Sequence, residues 1–138
     1  MYEKLLVAVD HSKITERVLA AARDLALLSQ GEVWVLHLRE LEAIPRGGVI
    51  PSESDDEAQS NVDAAVAELS QAGITAIGVV RNTLFGHAAR EIVSEAKAED
   101  VDAIIMGSLG RSDLGGLVLG STAHKVIHLA DRPVLVIR

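Results

Sequence analysis

Apolar runs of strand length alternate with helix-period segments from one end of the chain to the other, which is the pattern of an α/β protein built on a parallel sheet. Residues 5–9 read as the first strand, followed by a helix in which Ile14, Val18, Ala22, Leu25 and Leu28 recur at three- and four-residue steps. Gly31 is placed to close that helix as its C′ residue. Residues 33–38 are apolar almost throughout, which predicts a second strand buried on both faces. The pattern then fails. Residues 39–57 hold Pro45, Gly47, Gly48, Pro51 and the acidic cluster Glu53, Asp55, Asp56 and Glu57, predicting a long surface loop that passes into an acidic helix start. Loops of that length in small domains are commonly functional or mobile.

A helix follows with Ala58, Val62, Val66, Leu69 and Ala72 on one face, ended by Gly73, and a third strand spans about residues 75–80. The next helix, near 86–98, buries Ala89, Ile92, Val93 and Ala96 and leads to a fourth strand at 103–106. The last helix begins near Ser121 with Ala123, Val126, Ile127 and Ala130 turned inward, and a fifth strand covers 133–137. No repeat or low-complexity linker interrupts this order, so residues 1–138 read as one α/β domain. Right-handed crossovers put the five strands in one open parallel sheet with helices on both faces. Ligands of such sheets bind beyond the carboxyl ends of the strands, where strand order reverses. With the first strand central and flanked by the second and fourth, that crevice lies between Asp10 and Gly107.

Composition narrows the choice of ligand. The chain carries 13 Lys and Arg against 20 Asp and Glu, a net charge of −7, and nucleic-acid phosphates reward clustered positive charge instead. Tyr2, Trp34 and Phe85 are the only aromatics, too few for a base-stacking platform, so any bound base is expected to rest on aliphatic side chains. The absence of Cys removes disulfides, iron–sulfur clusters, thiol nucleophiles and Cys-based zinc sites. No apolar run approaches the roughly 18 residues of a membrane span. The start, Met1-Tyr2-Glu3-Lys4, carries no cleavage signature, so a soluble, cytoplasmic protein is expected.

Five of the eleven glycines, Gly107, Gly110, Gly115, Gly116 and Gly120, fall in one short stretch after a buried strand and before a helix. Glycine lets backbone N–H groups turn toward an oxyanion, and the helix opening at Ser121 adds free N–H groups and the positive end of its dipole. Phosphate suits this arrangement. The chain's acidity also lies elsewhere: from residue 107 onward there are four Lys or Arg against two Asp, while the earlier part holds eighteen acidic residues against nine basic. Neither common phosphate loop is present, because Gly120-Ser121-Thr122 lacks the Walker Lys and Val9-Asp10-His11-Ser12 lacks the paired glycines of the dinucleotide fingerprint.

The spacing Gly107-x2-Gly110-x9-Gly120-Ser121, the Asp ending the first strand and the closing Arg-Pro-Val-Leu-Val-Ile-Arg segment together resemble the universal stress protein family, in particular its ATP-binding branch. The likeness runs from Lys4-Leu5-Leu6-Val7-Ala8-Val9-Asp10 to Pro133-Val134-Leu135-Val136. It implies a five-stranded parallel sheet of order 3-2-1-4-5, of the adenine nucleotide alpha hydrolase-like kind. It further implies that Gly107, Gly110, Gly120, Ser121 and Thr122 hold the ribose and phosphates of ATP. Asp10 would stand by the nucleotide and help hold Mg2+ or Mn2+, and Leu38 and Met106 would line the adenine pocket. The resemblance also implies a homodimer formed through residues 133–138, which would cover an exposed sheet edge.

Simpler roles accompany several of these residues. Ser121 can be a helix N-cap, which is compatible with phosphate binding, and Asp10 can complement the dipole of a helix starting near Ser12. His124 and His128 stand at i,i+4 without a third ligand, so a solvated pair is expected. His11 and His37 lie near strand ends, with His37 read as a packed residue bonded to backbone, and the acidic run 53–57 as a solvated helix start. Ser108 and Ser112 have no activating base, and Arg111 and Lys125 are the only cations near the loop, so efficient catalysis is not implied. Slow ATP hydrolysis or self-phosphorylation at Ser121 or Thr122 fits a regulatory stress-response module better. The alternative is a nucleotide-independent, chaperone-like scaffold, which a broken glycine motif would mark. A phosphoreceiver domain is disfavoured, since of its acidic set only Asp10 is present.

Overall fold

Strand β1 (Lys4–Val9) is hydrogen-bonded on both edges, to β2 (Glu32–Ala43) on one side and β5 (Ala103–Gly107) on the other, all three parallel. The structure, a computed structural model, describes residues 1–110 and 118–138. Outside β2 lies β4 (Ala76–Leu84) and outside β5 lies β6 (Val134–Ile137), both again parallel to their neighbours. The parallel strands therefore run β4-β2-β1-β5-β6, which is the order 3-2-1-4-5 once only these five are counted.

Alternation along the strands sorts the core into two layers. Leu5, Val7, Val33, Val35 and Ile105 face α1 (Thr15–Ser29) and α2 (Asp55–Gln71), packing with Val18, Ala22, Ala65 and Leu69. Leu6, Leu36, Ile104 and Met106 face α3 (Ala88–Ala98) and α4 (Ser121–Leu129), packing with Ile92, Val93, Ala96, Ala123 and Val126. Leu5, Leu6, Val7, Ile104 and Ile105 have no exposed surface, so each removes a whole aliphatic side chain from water, worth about 1.5–3 kcal/mol apiece. Two residues expected inside are outside: Leu28 at the end of α1 is 84% exposed, and Ile127 on α4 is 49% exposed. The first helix is closed by Gln30 in the left-handed region (φ 56°), not by Gly31. Gly31 is needed for space, because a Cβ there would lie 2.6 Å from the carbonyl oxygen of Tyr2.

The largest departure from expectation is in residues 39–57. Strand β2 continues to Ala43, turns at Gly47 and Gly48 (φ 89° and 92°), and returns as β3 (Val49–Pro51), an antiparallel sixth strand. The segment Arg39-Glu40-Leu41-Glu42 extends past the buried part of the sheet and is only partly covered, so it lacks the apolar run that marks a central strand. Backbone pairing holds it instead: β4 runs along one edge as far as Leu41, and β3 occupies the other edge beyond the end of β1. The hairpin thereby returns the chain to the top of β1. Ser54 then caps α2, its Oγ accepting from Glu57 N at 3.1 Å.

Helix α2 sits directly on β4 at Gly78, where an added Cβ would come within 2.2 Å of Val62 Cγ1 and 2.9 Å of Val66 Cγ2. Val62 is fully buried and has nowhere to move. Gly78→Ala is expected to lower stability by about 1–3 kcal/mol through overpacking. Urea unfolding followed by the fluorescence of Trp34, the only tryptophan, measures this, and an unchanged midpoint would show that the helix does not rest on this glycine.

Candidate functional site

After β1 the chain enters α1 on one face of the sheet, and after β5 it reaches α4 on the other, so the two helices lie on opposite sides of the gap between the two strand ends. A cavity of about 310 Å3 occupies this place, at the lower end of the range of small-molecule sites. Asp10, Leu38, Met106, Gly107, Gly110, Ser121 and Thr122 all line it. Gly120 does not: it is buried as the N-cap residue of α4, donating its N–H to Ser108 O at 2.6 Å. Gly115, Gly116, Arg111 and Ser112 lie outside the described residues.

One wall is aliphatic, formed by Leu36, Leu38, Ile92 and Met106, side chains that belong to or pack on the α3/α4 layer of the core. Aliphatic residues do not make the whole apolar surface, however, because Phe85, 63% exposed, also borders the cavity. Opposite the strand ends, α4 begins at Ser121 and Thr122 with no side-chain cap, which leaves the first N–H groups of the helix without an internal acceptor. Ser121 is thus the first residue of the helix and not its cap. Gly107 has a packing role as well, since a Cβ there would come within 2.9 Å of Ile14 Cγ2 at the start of α1.

Asp10 begins the turn into α1. Its Oδ1 accepts from Ser12 N at 2.8 Å and from Thr15 Oγ1 at 3.2 Å, while the same Thr15 hydroxyl reaches Asp10 O at 2.6 Å. One carboxylate oxygen is therefore committed to local structure, and Oδ2 has no hydrogen-bond partner among the described residues. Ser108 is buried, with its backbone joining Ile137 and Gly120, and so has no nucleophilic role.

The polar wall holds residues that the sequence pattern did not bring together. Glu53 is buried with its side chain only 3% exposed. Oε2 pairs with His11 Nε2 at 2.7 Å and Oε1 with His37 Nε2, while Arg39 Nε donates to the Glu53 carbonyl at 2.8 Å. Only Asp55, Asp56 and Glu57 of the acidic run form an exposed helix start. Burial pushes the Glu53 carboxyl upward, but the hydrogen bonds and charges of His37 and His11 outweigh it and hold the group below its usual 4.5. The missed signal was Ser54, whose Oγ accepts from Glu57 N as the N-cap, so the helix starts at Asp55 and Glu53 is left on the segment after the hairpin.

Fold and cavity define an α/β/α protein with a small-molecule crevice at the reversal of its strand order. Comparison with known proteins gives the family. The family model of the universal stress proteins matches residues 1–138. Universal stress protein YxiE of Bacillus subtilis is 32% identical over 148 residues, with 100% of both chains covered. The structure of MJ0577 from Methanocaldococcus jannaschii, 27% identical, superposes with a TM-score of 0.81 over 99% of this chain and 96% of that one. A universal stress protein from Archaeoglobus fulgidus, solved in complex with dAMP, is 30% identical with a TM-score of 0.76, covering 99% of this chain and 98% of its own. The chain belongs to the universal stress protein family.

Removing the Glu53 carboxylate leaves two imidazoles facing a gap. Glu53→Ala is expected to destabilise the protein by about 1–3 kcal/mol at neutral pH. Because the folded pKa is depressed, this contribution is present above pH 4.5 and is lost as pH falls through the folded value. Urea midpoints of wild type and variant measured from pH 7 down to pH 3.5 should converge on the acid side, and a constant gap would contradict the ion-pair account.

Proposed function

We propose that the cavity binds ATP and that the protein is a nucleotide-dependent regulatory module of the stress response, acting as a cytoplasmic homodimer. The observation that carries this reading is convergence: seven residues scattered from position 10 to position 122 meet on one cavity, with an aliphatic wall for a base and an uncapped helix start for phosphate. The dAMP complex of the Archaeoglobus fulgidus relative supports an adenine nucleotide as the ligand class.

The residues fit such a ligand with one electrostatic condition. Asp10, Glu40, Glu42 and Glu53 also border the cavity, and no Lys or Arg does so among the described residues. A polyphosphate entering beside these carboxylates is favoured in company with a divalent cation, for which Mg2+ or Mn2+ near Asp10 is the choice of hard oxygen donors. Leu36, Leu38, Met106 and Phe85 would hold the base out of water, and the Ser121 and Thr122 N–H groups would take phosphate oxygens. The hydroxyls of Ser121 and Thr122 are the candidate acceptors for slow self-phosphorylation. With no nucleophile and base paired at this position, rapid turnover is not part of the proposal.

Isothermal titration with Mg-ATP tests the site. Wild type should bind one nucleotide saturably. Ser121→Asp suits the helix N-terminus yet places negative charge where phosphate would sit, so it should fold normally and weaken binding at least tenfold. Absence of wild-type binding at millimolar ATP, or an unaffected Ser121→Asp variant, would overturn the reading.

The homodimer is proposed through β6. It is the edge strand of the sheet, with Leu135 42% exposed, and Ile127 and Leu129 of α4 also carry uncovered apolar surface. Native mass spectrometry should give twice the 14.6 kDa chain mass for wild type and the monomer mass for Leu135→Asp. A wild-type monomer, or a dimer indifferent to that substitution, would contradict the proposed interface.

A further inference from the structure

We propose that His11, His37 and Glu53 form a binding site for one divalent transition-metal ion of the zinc class, on the polar wall of the cavity. Their ligand atoms, two imidazole nitrogens and a carboxylate, all lie within 4.8 Å of one another. These residues come from three places in the chain, the turn after β1, the interior of β2 and the segment after β3. Their meeting therefore depends on the hairpin that brings residue 53 back over the sheet.

Hydrogen-bond logic identifies the atoms that can face a metal ion. His37 Nδ1 lies 2.9 Å from Val9 O, and a carbonyl only accepts, so Nδ1 carries the proton. Nε2 is then the ring atom that meets Glu53 Oε1 in a buried place, the position a metal ion takes in exchange for a proton. His11 Nε2 likewise meets Glu53 Oε2 at 2.7 Å, and an ion bound there would displace the Asn61 side-chain amide from the same nitrogen. A cation placed between the two Nε2 atoms and the Glu53 carboxylate would be bonded by all three. Zinc bonds of about 2.0–2.2 Å in tetrahedral geometry set ligand atoms roughly 3.3 Å apart, which falls between the 2.7 Å contact and the 4.8 Å outer limit of the cluster.

The surroundings are those of a supported metal site. Val9 O fixes the tautomer and orientation of His37, and Arg39 holds the backbone of Glu53. Two imidazoles and one carboxylate favour Zn2+ over the hard, oxygen-seeking Mg2+. The donor set is therefore distinct from Asp10 and from any cation that accompanies a nucleotide. Three protein ligands leave a fourth position, and since all three residues border the cavity it is open to water or to an anionic ligand there. The His11 side chain is 31% exposed, which gives the ion a way in.

The test uses the full chain, stripped with a chelator and without nucleotide, titrated with Zn2+ against a chromophoric competitor. One ion per chain should bind, at least tenfold more weakly in His11→Ala, its native fold checked by circular dichroism, and more weakly still in Glu53→Ala. The exposed helical pair His124 and His128 is the control, so His124→Ala/His128→Ala should bind as wild type does. Co2+ added to wild type should give the intense visible absorption of a low-coordinate nitrogen–oxygen site. Lack of stoichiometric Zn2+ binding, retention in His11→Ala, or loss in the His124/His128 variant would overturn the assignment. Failure of ATP to bind would leave it untouched, because no nucleotide takes part.

Discussion

Everything at the carboxyl end of this sheet follows from the double pairing of β1. A parallel strand hydrogen-bonded on both edges can be left only by turning onto a face, and β1 and its neighbour β5 turn onto opposite faces. The helices that follow them lie on opposite faces, and a gap remains between the strand ends. Backbone geometry thus creates the cavity before any side chain decides what it holds. The bulk aliphatic side chains of β1 and β5, wholly buried between the helical layers, keep the strand ends fixed on either side of it.

The cavity that results has two unlike walls. The layer beneath α3 and α4 presents Leu36, Leu38 and Met106, while the polar wall presents Asp10, His11, His37 and Glu53. Strand alternation explains the division in part, since Leu36 and Leu38 point to one face of β2 and His37 to the other. The same strand therefore serves an apolar moiety and a charged group. In the proposed reading such a site takes a ligand with a flat apolar part and an anionic part, and its carboxylates would tie anion binding to cations. This coupling between cation and anion distinguishes the cavity from a simple phosphate nest built of glycine and helix dipole.

Most of the architecture was legible because buried parallel strands write themselves as apolar runs. Residues 5–9, 33–38 and 103–106 announced the three central strands, and the reversal of strand order set the crevice between Asp10 and Gly107. What escaped notice was held by backbone pairing and not by apolar burial. The outer half of β2 is charged and only partly covered, and β3 is an exposed segment of three residues ending in Pro51, so the chemistry of 39–57 read as loop. Glu53 escaped for a related reason: in sequence it belongs to an acidic run, and only the hairpin separates it from that run and buries it against His37. The glycines show a further limit, because Gly31 and Gly107 are small to admit a neighbouring backbone and a neighbouring helix, needs that spacing alone does not reveal.

The central claim is that the gap between β1 and β5 is where a nucleotide binds. Amide chemical-shift mapping on isotope-labelled protein, as Mg-ATP is added, tests it residue by residue. The account predicts saturable shifts concentrated at Asp10, Leu38, Met106, Gly107, Gly110, Ser121 and Thr122. Shifts confined to another surface, or none at millimolar nucleotide, would contradict it.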